Sequence, residues 1–250
     1  MMKLFVNWRE KYLADPEGAL TVVHIPARLG SSRIPRKNIK NLCDLPLIAY
    51  TILLARSLPE VDLVFVNTES EEIAEVARAY GAEVPFARPA ELAGTKSPMS
   101  AAVQYFYDWL RDGPLAVKKV LTLLPTSPFR NRERMSEMIR ALDNHLFVYT
   151  ALRFDLPWGR LVRRNGTGLK PVFRPFPADG APRDVFKYTG QFMGHSCMVP
   201  WDNKPFFKVF LPEEPCEAID LDTPEDWELA QGIIADNRYE FGFERHAVHH

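Results

Sequence analysis

The stretch Val22–Ile39, VVHIPARLGSSRIPRKNI, concentrates groups that can do chemistry. A β-branched and apolar run leads into Arg28, Gly30, Ser31, Ser32, Arg33, Arg36 and Lys37, punctuated by two prolines. A strand that ends this way delivers cations and short hydroxyl donors to a polyanion. Gly30 is expected to give a tight turn and a close backbone approach. Arg28, Arg33, Arg36 and Lys37 supply the charge a triphosphate needs, so the expected ligand is a nucleotide. Neither common phosphate loop applies, because no Gly-Lys-Ser/Thr follows a four-residue gap and only one glycine is present. The bland alternative is a solvated basic face.

A second constellation lies near the other end, in Ile219-Asp220-Leu221-Asp222-Thr223-Pro224-Glu225-Asp226. If Glu217–Leu221 is a strand, Asp220 and Asp222 point to one side and can address a single hard cation. Magnesium suits, since it takes carboxylate and phosphate oxygens together. The competing role, capping the helix that starts at Pro224, already falls to Thr223, Glu225 and Asp226. A phosphate loop and a paired carboxylate site together suit nucleotidyl transfer, with Arg28 and Lys37 offsetting charge on the phosphate oxygens.

The pattern Pro26-Ala27-Arg28-x-Gly30-Ser31-x-x-Ile34-Pro35-Arg36-Lys37-Asn38 resembles the signature loop of the acylneuraminate cytidylyltransferases. Further matches follow in that family's order: Pro46–Ile52, Val64–Thr68, Glu72–Ala77, Gly81–Phe86, Pro125–Arg130 and Ile219–Asp226. They span roughly Thr21 to Ala230 and are weakest between Arg153 and Tyr188. The resemblance implies an α/β, three-layer, Rossmann-like nucleotidyltransferase domain of the GT-A kind, with a mostly parallel sheet and a projecting dimerisation arm. It also implies an enzyme that activates a nonulosonic sugar acid with CTP, releasing pyrophosphate.

By the same resemblance Ala27, Arg28, Gly30, Ser31, Arg33, Lys37 and Asn38 hold the nucleotide, with the base pocket near Arg88 and Ser97. Arg28, Lys37, Asp220 and Asp222 would be the catalytic set, the two aspartates as magnesium ligands. Leu124, Gln191, Phe192 and Arg160 would meet the sugar acid. The loop departs from the family where Leu29-Gly30-Ser31-Ser32 replaces Gly-Gly-Ser-Lys, and Arg33 can restore the missing charge. Leu124 stands where neuraminate-activating members carry glutamine, while Thr189-Gly190-Gln191-Phe192 is similar to the pseudaminic acid branch. A pseudaminate-like substrate is therefore expected. The alternatives are N-acetylneuraminate, an eight-carbon 3-deoxy-manno-octulosonate, or a nucleotide-binding module that has lost catalysis; retention of both aspartates argues against the last.

At 250 residues, 46% hydrophobic and 25% charged, the chain can bury one large core. A net charge of −1 makes the basic loop a local feature, so no nucleic acid is expected. Cys43, Cys197 and Cys216 show neither disulfide nor zinc spacing. No membrane span or signal peptide is read, and a cytoplasmic location is expected.

The elements that position these groups alternate from Thr21 onward, as in a parallel sheet covered on both faces. Strands are expected at Val22–Ile25, Val61–Thr68, Lys119–Leu124, Phe147–Arg153, Gln191–Val199 and Glu217–Leu221. Helices are expected at Pro46–Ser57, after the Ser70 cap until Gly81, and at about Pro98–Asp112, Arg132–His145 and Pro224–Asp236. Residues 1–20 read as an amphipathic extension, 21–240 as the catalytic domain, and 241–250 as a tail. Within the domain, about 155–188 reads as an irregular excursion, expected to build a homodimer and reach the sugar pocket.

Overall fold

A computed structural model describes residues 10–94, 97–153, 162–165, 168–171, 186–200 and 206–245. In chain order the strands are β1 (Leu20–Pro26), β2 (Asn41–Leu42), β3 (Leu45–Pro46), β4 (Leu63–Asn67), β5 (Val117–Thr122), β6 (Phe147–Arg153), β7 (Val162–Asn165), β8 (Gly168–Pro171), β9 (Phe186–Ser196) and β10 (Phe207–Phe210). The helices are α1 (Leu47–Ser57), α2 (Glu71–Ala79), α3 (Met99–Asp112), α4 (Arg132–Ala141) and α5 (Pro224–Ala235). The main sheet has the order β10-β6-β9-β5-β1-β4. Its strands run parallel except β9, which lies antiparallel between β5 and β6.

The period of two along β1 divides the core into two layers. Val23 and Ile25 face a cluster built with Leu47, Ile48 and Ile52 of α1, Ile73 of α2, Met135 and Ile139 of α4 and Trp227 of α5. Val22 faces the opposite cluster, with Phe106, Tyr107 and Leu110 of α3. His24, on the α3 side, stacks flat on Phe106 with ring centroids 4.2 Å apart. Phe106, Tyr107 and Leu110 of α3 are thus core, and the three-layer α/β reading holds.

Local chemistry sets the boundaries. Ser70 caps α2 by accepting the Ile73 N–H, and Gly81, at φ 87, ends that turn in the left-handed region. Thr223 and Asp226 form a capping box on α5, with Pro224 in its first turn. In the extension, Glu10–Ala14 is helical, and Lys11 Nζ donates to the Arg111 and Gly113 carbonyls, closing the C-terminal end of α3.

Several boundaries differ from expectation. Glu217–Leu221 is not a strand: Pro215 starts a 3-10 turn over Pro215–Ala218, and the Glu217 carboxylate takes the Glu213 N–H instead of leaving backbone groups for a ladder. Leu221 N–H reaches only the Thr126 carbonyl, at 2.7 Å. β9 begins at Phe186, ahead of the expected start, and α4 stops at Ala141. The edge strand β10 and the hairpin β2–β3 were not anticipated; both are short, and β10 carries half-exposed apolar residues that give no alternating signal. The expected excursion contains the antiparallel pair β7–β8, and its remaining residues lie outside the described ones, as do His246, His249 and His250. Among the described residues no helix is long and apolar enough to cross a membrane, and no disulfide joins Cys43, Cys197 or Cys216 to one another.

Candidate active site

The chain leaves β1 to build β4 on one side and returns to build β5 on the other, so the carboxyl ends of β1 and β5 border a topological switch point. A cleft of about 250 Å³ opens there, lined by Arg28, Gly30, Ser31, Ser32, Arg33, Lys37 and Asn38 from the loop after β1. Arg88, Ser97 and Met99 form a second wall, and Leu124 to Thr126 with Asp222 form a third.

Reversal of the loop depends on Arg36 rather than Gly30. Arg36 sits at φ 54, ψ 32 in the left-handed region, its side chain paired with Glu72, and the chain then enters the 3-10 turn Lys37–Ile39. Gly30 has no left-handed φ, and a Cβ there would meet open space. The reversal buries Lys37 and Asn38 at the cleft floor. Asn38 Nδ2 donates to the Arg28 carbonyl at 2.9 Å, tying the two arms of the loop together.

Lys37 Nζ donates to Asp222 Oδ1 at 3.0 Å and to the Leu221 carbonyl at 2.5 Å, while Arg33 lies 3.4 Å from Asp222 Oδ2. The Asp222 carboxylate is 45% exposed, so it keeps lone pairs on the open cleft. On the other wall Arg28 donates to the Gly94 carbonyl at 3.0 Å. Ser97 Oγ is engaged by the Glu91 carbonyl at 2.6 Å, a turn-closing bond.

A second cavity of about 230 Å³ adjoins the first and shares Met99 and Leu124 with it. Its walls include Ser127, Leu152, Lys187, Tyr188, Gly190, Met193, Glu217 and Asp220. Asp220 and Asp222 therefore line neighbouring cavities, one each. Behind this wall Arg130 is buried, donating to the Leu124, Gly190 and Gln191 carbonyls at 2.6, 3.1 and 2.7 Å and to Thr51 Oγ1 at 3.0 Å. Burial pulls its guanidinium down to about 9, which leaves it charged at neutral pH.

Of the residues expected to bind nucleotide, Arg28, Gly30, Ser31, Arg33, Lys37, Asn38, Arg88 and Ser97 converge on the first cleft. Ala27 is buried beneath it, its carbonyl accepting from Arg88 at 3.0 Å. Leu124 lies on the shared wall. Gln191 and Phe192 do not line the second cavity: the Gln191 amide donates to the Phe129 and Glu217 carbonyls, and Phe192 is fully buried in the core. Arg160 lies outside the described residues. Glu69 and Arg130 are functional neighbours that the sequence does not single out for the site. Glu69 carried a signal, a carboxylate just beyond a strand end in Asn67-Thr68-Glu69-Ser70, and Arg130 appeared only as the end of a motif.

The switch-point cleft, its cationic loop and the adjoining pocket define a nucleotide-binding α/β enzyme. The family described as Cytidylyltransferase matches residues 22–155. A CMP-N,N'-diacetyllegionaminic acid synthase of Legionella pneumophila is 31% identical over 86% of this chain and 96% of its own. A pseudaminic acid cytidylyltransferase of Campylobacter jejuni is 36% identical over 83% of this chain and 93% of its own. The chain belongs to the cytidylyltransferase family and is a nucleotidyltransferase. Among solved structures, a CMP:2-keto-3-deoxy-manno-octonic acid synthetase complexed with CTP aligns with a TM-score of 0.60 at 16% identity, over 88% of this chain and 100% of that one. A 4-diphosphocytidyl-2C-methyl-D-erythritol synthase from Anaerococcus prevotii aligns at 0.58 with the same identity and coverage. These two likenesses concern the fold.

Proposed function

We propose that this enzyme transfers CMP from CTP to a nonulosonic sugar acid, of a pseudaminate-like kind, and releases pyrophosphate. The observation that carries the reading is the pair of adjoining cavities: a cationic cleft suited to a triphosphate shares the wall residues Met99 and Leu124 with a second cavity of about 230 Å³, which would take the acceptor. Relatives named for pseudaminic and N,N'-diacetyllegionaminic acids support an acceptor of this class.

In the reaction an acceptor hydroxyl attacks the α-phosphorus and gives up its proton to solvent, a new P–O bond forms, the bond to the β-phosphate oxygen breaks, and pyrophosphate leaves. Arg28, Arg33 and Lys37 face the phosphates and offset charge that grows on their oxygens, an effect strengthened by the partly buried setting of Lys37. Asp222 holds Lys37 in place. Leu124 and Met99, on the shared wall, set the approach of acceptor to nucleotide.

Magnesium fits the donor set. Magnesium takes hard carboxylate oxygens together with phosphate oxygens, and one or two protein carboxylates suffice when the substrate completes the shell. Asp222, half-exposed on the cleft, and Asp220, on the adjoining cavity, would hold it, and when bound it would neutralise phosphate charge as a Lewis acid.

Pyrophosphate release measured with a panel of nucleotides and sugar acids tests the proposal. CTP should be preferred. Neuraminate should fall about tenfold or more below an isomeric or deoxygenated nonulosonate in kcat/KM, because an apolar Leu124 leaves a buried hydroxyl unpaired. Preference for neuraminate, or for another nucleotide, refutes it.

A further inference from the structure

Glu69 stands in the turn between β4 and α2, outside the groups the reaction needs, yet its carboxylate joins two walls of the cleft. Oε1 accepts the Leu29 N–H at 2.8 Å, in the middle of the cationic loop. Oε2 accepts from Arg88 Nη2 at 2.5 Å, and the same nitrogen donates to the Ala27 carbonyl at 3.0 Å. The pair is enclosed, with side chains 17% exposed for Glu69 and 3% for Arg88. The backbone supports it: the Arg88 N–H donates to the Thr68 carbonyl at 2.9 Å, beside the bridge between Thr68 and Ala87. Arg88 Nε is buried and without a hydrogen-bond partner among the described residues, although Arg88 lines the cleft.

We infer that Glu69 is a positioning residue for nucleotide binding: it locks the loop to the opposite wall and holds the Arg88 guanidinium in one pose on that wall of the cleft. This rests on the cytidylyltransfer reading above. The physical case is one of orientation. An enclosed arginine with a single anionic partner has one favoured pose, and a neutral partner removes the charge-assisted bond that selects it. The same carboxylate takes up a loop N–H that has no ladder partner, so one side chain sets both the loop path and the pose of Arg88.

Two variants separate these tasks. Glu69→Gln keeps an acceptor for Leu29 but removes the anion facing Arg88; KM for CTP should rise about tenfold, the equivalent of one charge-assisted hydrogen bond, while kcat at saturating CTP and KM for the sugar acid stay within about twofold. Glu69→Ala also releases Leu29, so hydrogen exchange at the Leu29 amide of the ligand-free protein should accelerate about tenfold while the β1 amides keep their protection. An unchanged KM for CTP in Glu69→Gln, or equal rises for both substrates, overturns the inference. So does unchanged Leu29 exchange in Glu69→Ala. The exchange readout needs no nucleotide, so a failure of the cytidylyltransfer reading shows in wild-type turnover and a failure of the Glu69 tie shows separately in the ligand-free protein.

Discussion

Lys37 and Asp222, 185 residues apart in the chain, meet at the cleft floor with Nζ 3.0 Å from Oδ1. The lysine side chain is 10% exposed and the aspartate 45%, so the contact is a half-buried tie with its anion still open to the cleft. It joins the loop after β1 to the segment before α5, and neither half can be placed without the other.

Replacing Asp222 by Asn should lower pyrophosphate release by about a hundredfold or more, since it weakens both the hold on Lys37 and the site for a cation. Asp220→Asn should cost a similar factor through the cation alone, because Lys37 keeps its partner. Circular dichroism should be unchanged in both. Near-normal turnover of either variant in saturating magnesium argues against that aspartate as a ligand.

The second cavity owes its shape to Gly190, where a Cβ would come within 2.6 Å of Leu124 Cδ1 and 2.9 Å of its Cβ. Gly190→Ala should push Leu124 outward, cost about 1–3 kcal/mol in stability from overpacking, and raise KM for the sugar acid more than KM for CTP. Steady-state kinetics with each substrate varied in turn gives the split.

Gln191 is tied by its amide to the Phe129 and Glu217 carbonyls. Gln191→Ala leaves both acceptors buried, so a loss of about 1–3 kcal/mol in denaturant unfolding is expected, with KM for the sugar acid within about twofold of wild type. A large, selective rise in that KM would return the side chain to the substrate pocket.

Homodimerisation through residues from about 155 to 188 is expected from their apolar content and irregular sequence. Static light scattering at micromolar concentration should give twice the chain mass. A monomer at that concentration ends the idea.

Burial, with the Arg88 charge adding to it, pulls His24 down to about 3, and burial pulls His195 down to about 4. An unfolded histidine titrates near 6.5, so between that value and the folded ones the unfolded chain binds more protons and stability rises with pH. The contribution is complete above 6.5 and is lost as pH falls, by up to about 1.4 kcal/mol per pH unit for each histidine. The urea midpoint should therefore drop between pH 7 and pH 5, where most carboxylates remain ionised. A flat midpoint over that range contradicts the assignment.

Local signals carried far in this chain. The β1 run, the Ser70 and Thr223 caps, Gly81 and Pro224 each act within a few residues, and each stands where its chemistry requires. The cationic loop was legible for the same reason, because charge density and a preceding strand are contiguous in sequence. Asp220 and Asp222 were legible as residues but not as geometry. The inference of a shared face needed a strand, and Pro215 with Glu217 made a 3-10 turn instead. Gln191 shows the same limit: a motif gives its place on β9, but which carbonyl its amide reaches depends on the Phe129 and Glu217 backbones, which come from other parts of the chain.

What the sequence determined by itself was the five helices and the strands β1, β4, β5, β6 and β9 of the main sheet, the nucleotide-directed loop and the class of chemistry, all set by short-range preferences and by charge. Tertiary structure alone decided the rest: that Arg36 rather than Gly30 turns the loop, that Lys37 meets Asp222, that Glu69 reaches both Leu29 and Arg88, and that Leu124 divides two cavities. These are contacts between distant segments whose distances follow from how the sheet orders its strands, and no pattern within a window of residues encodes them.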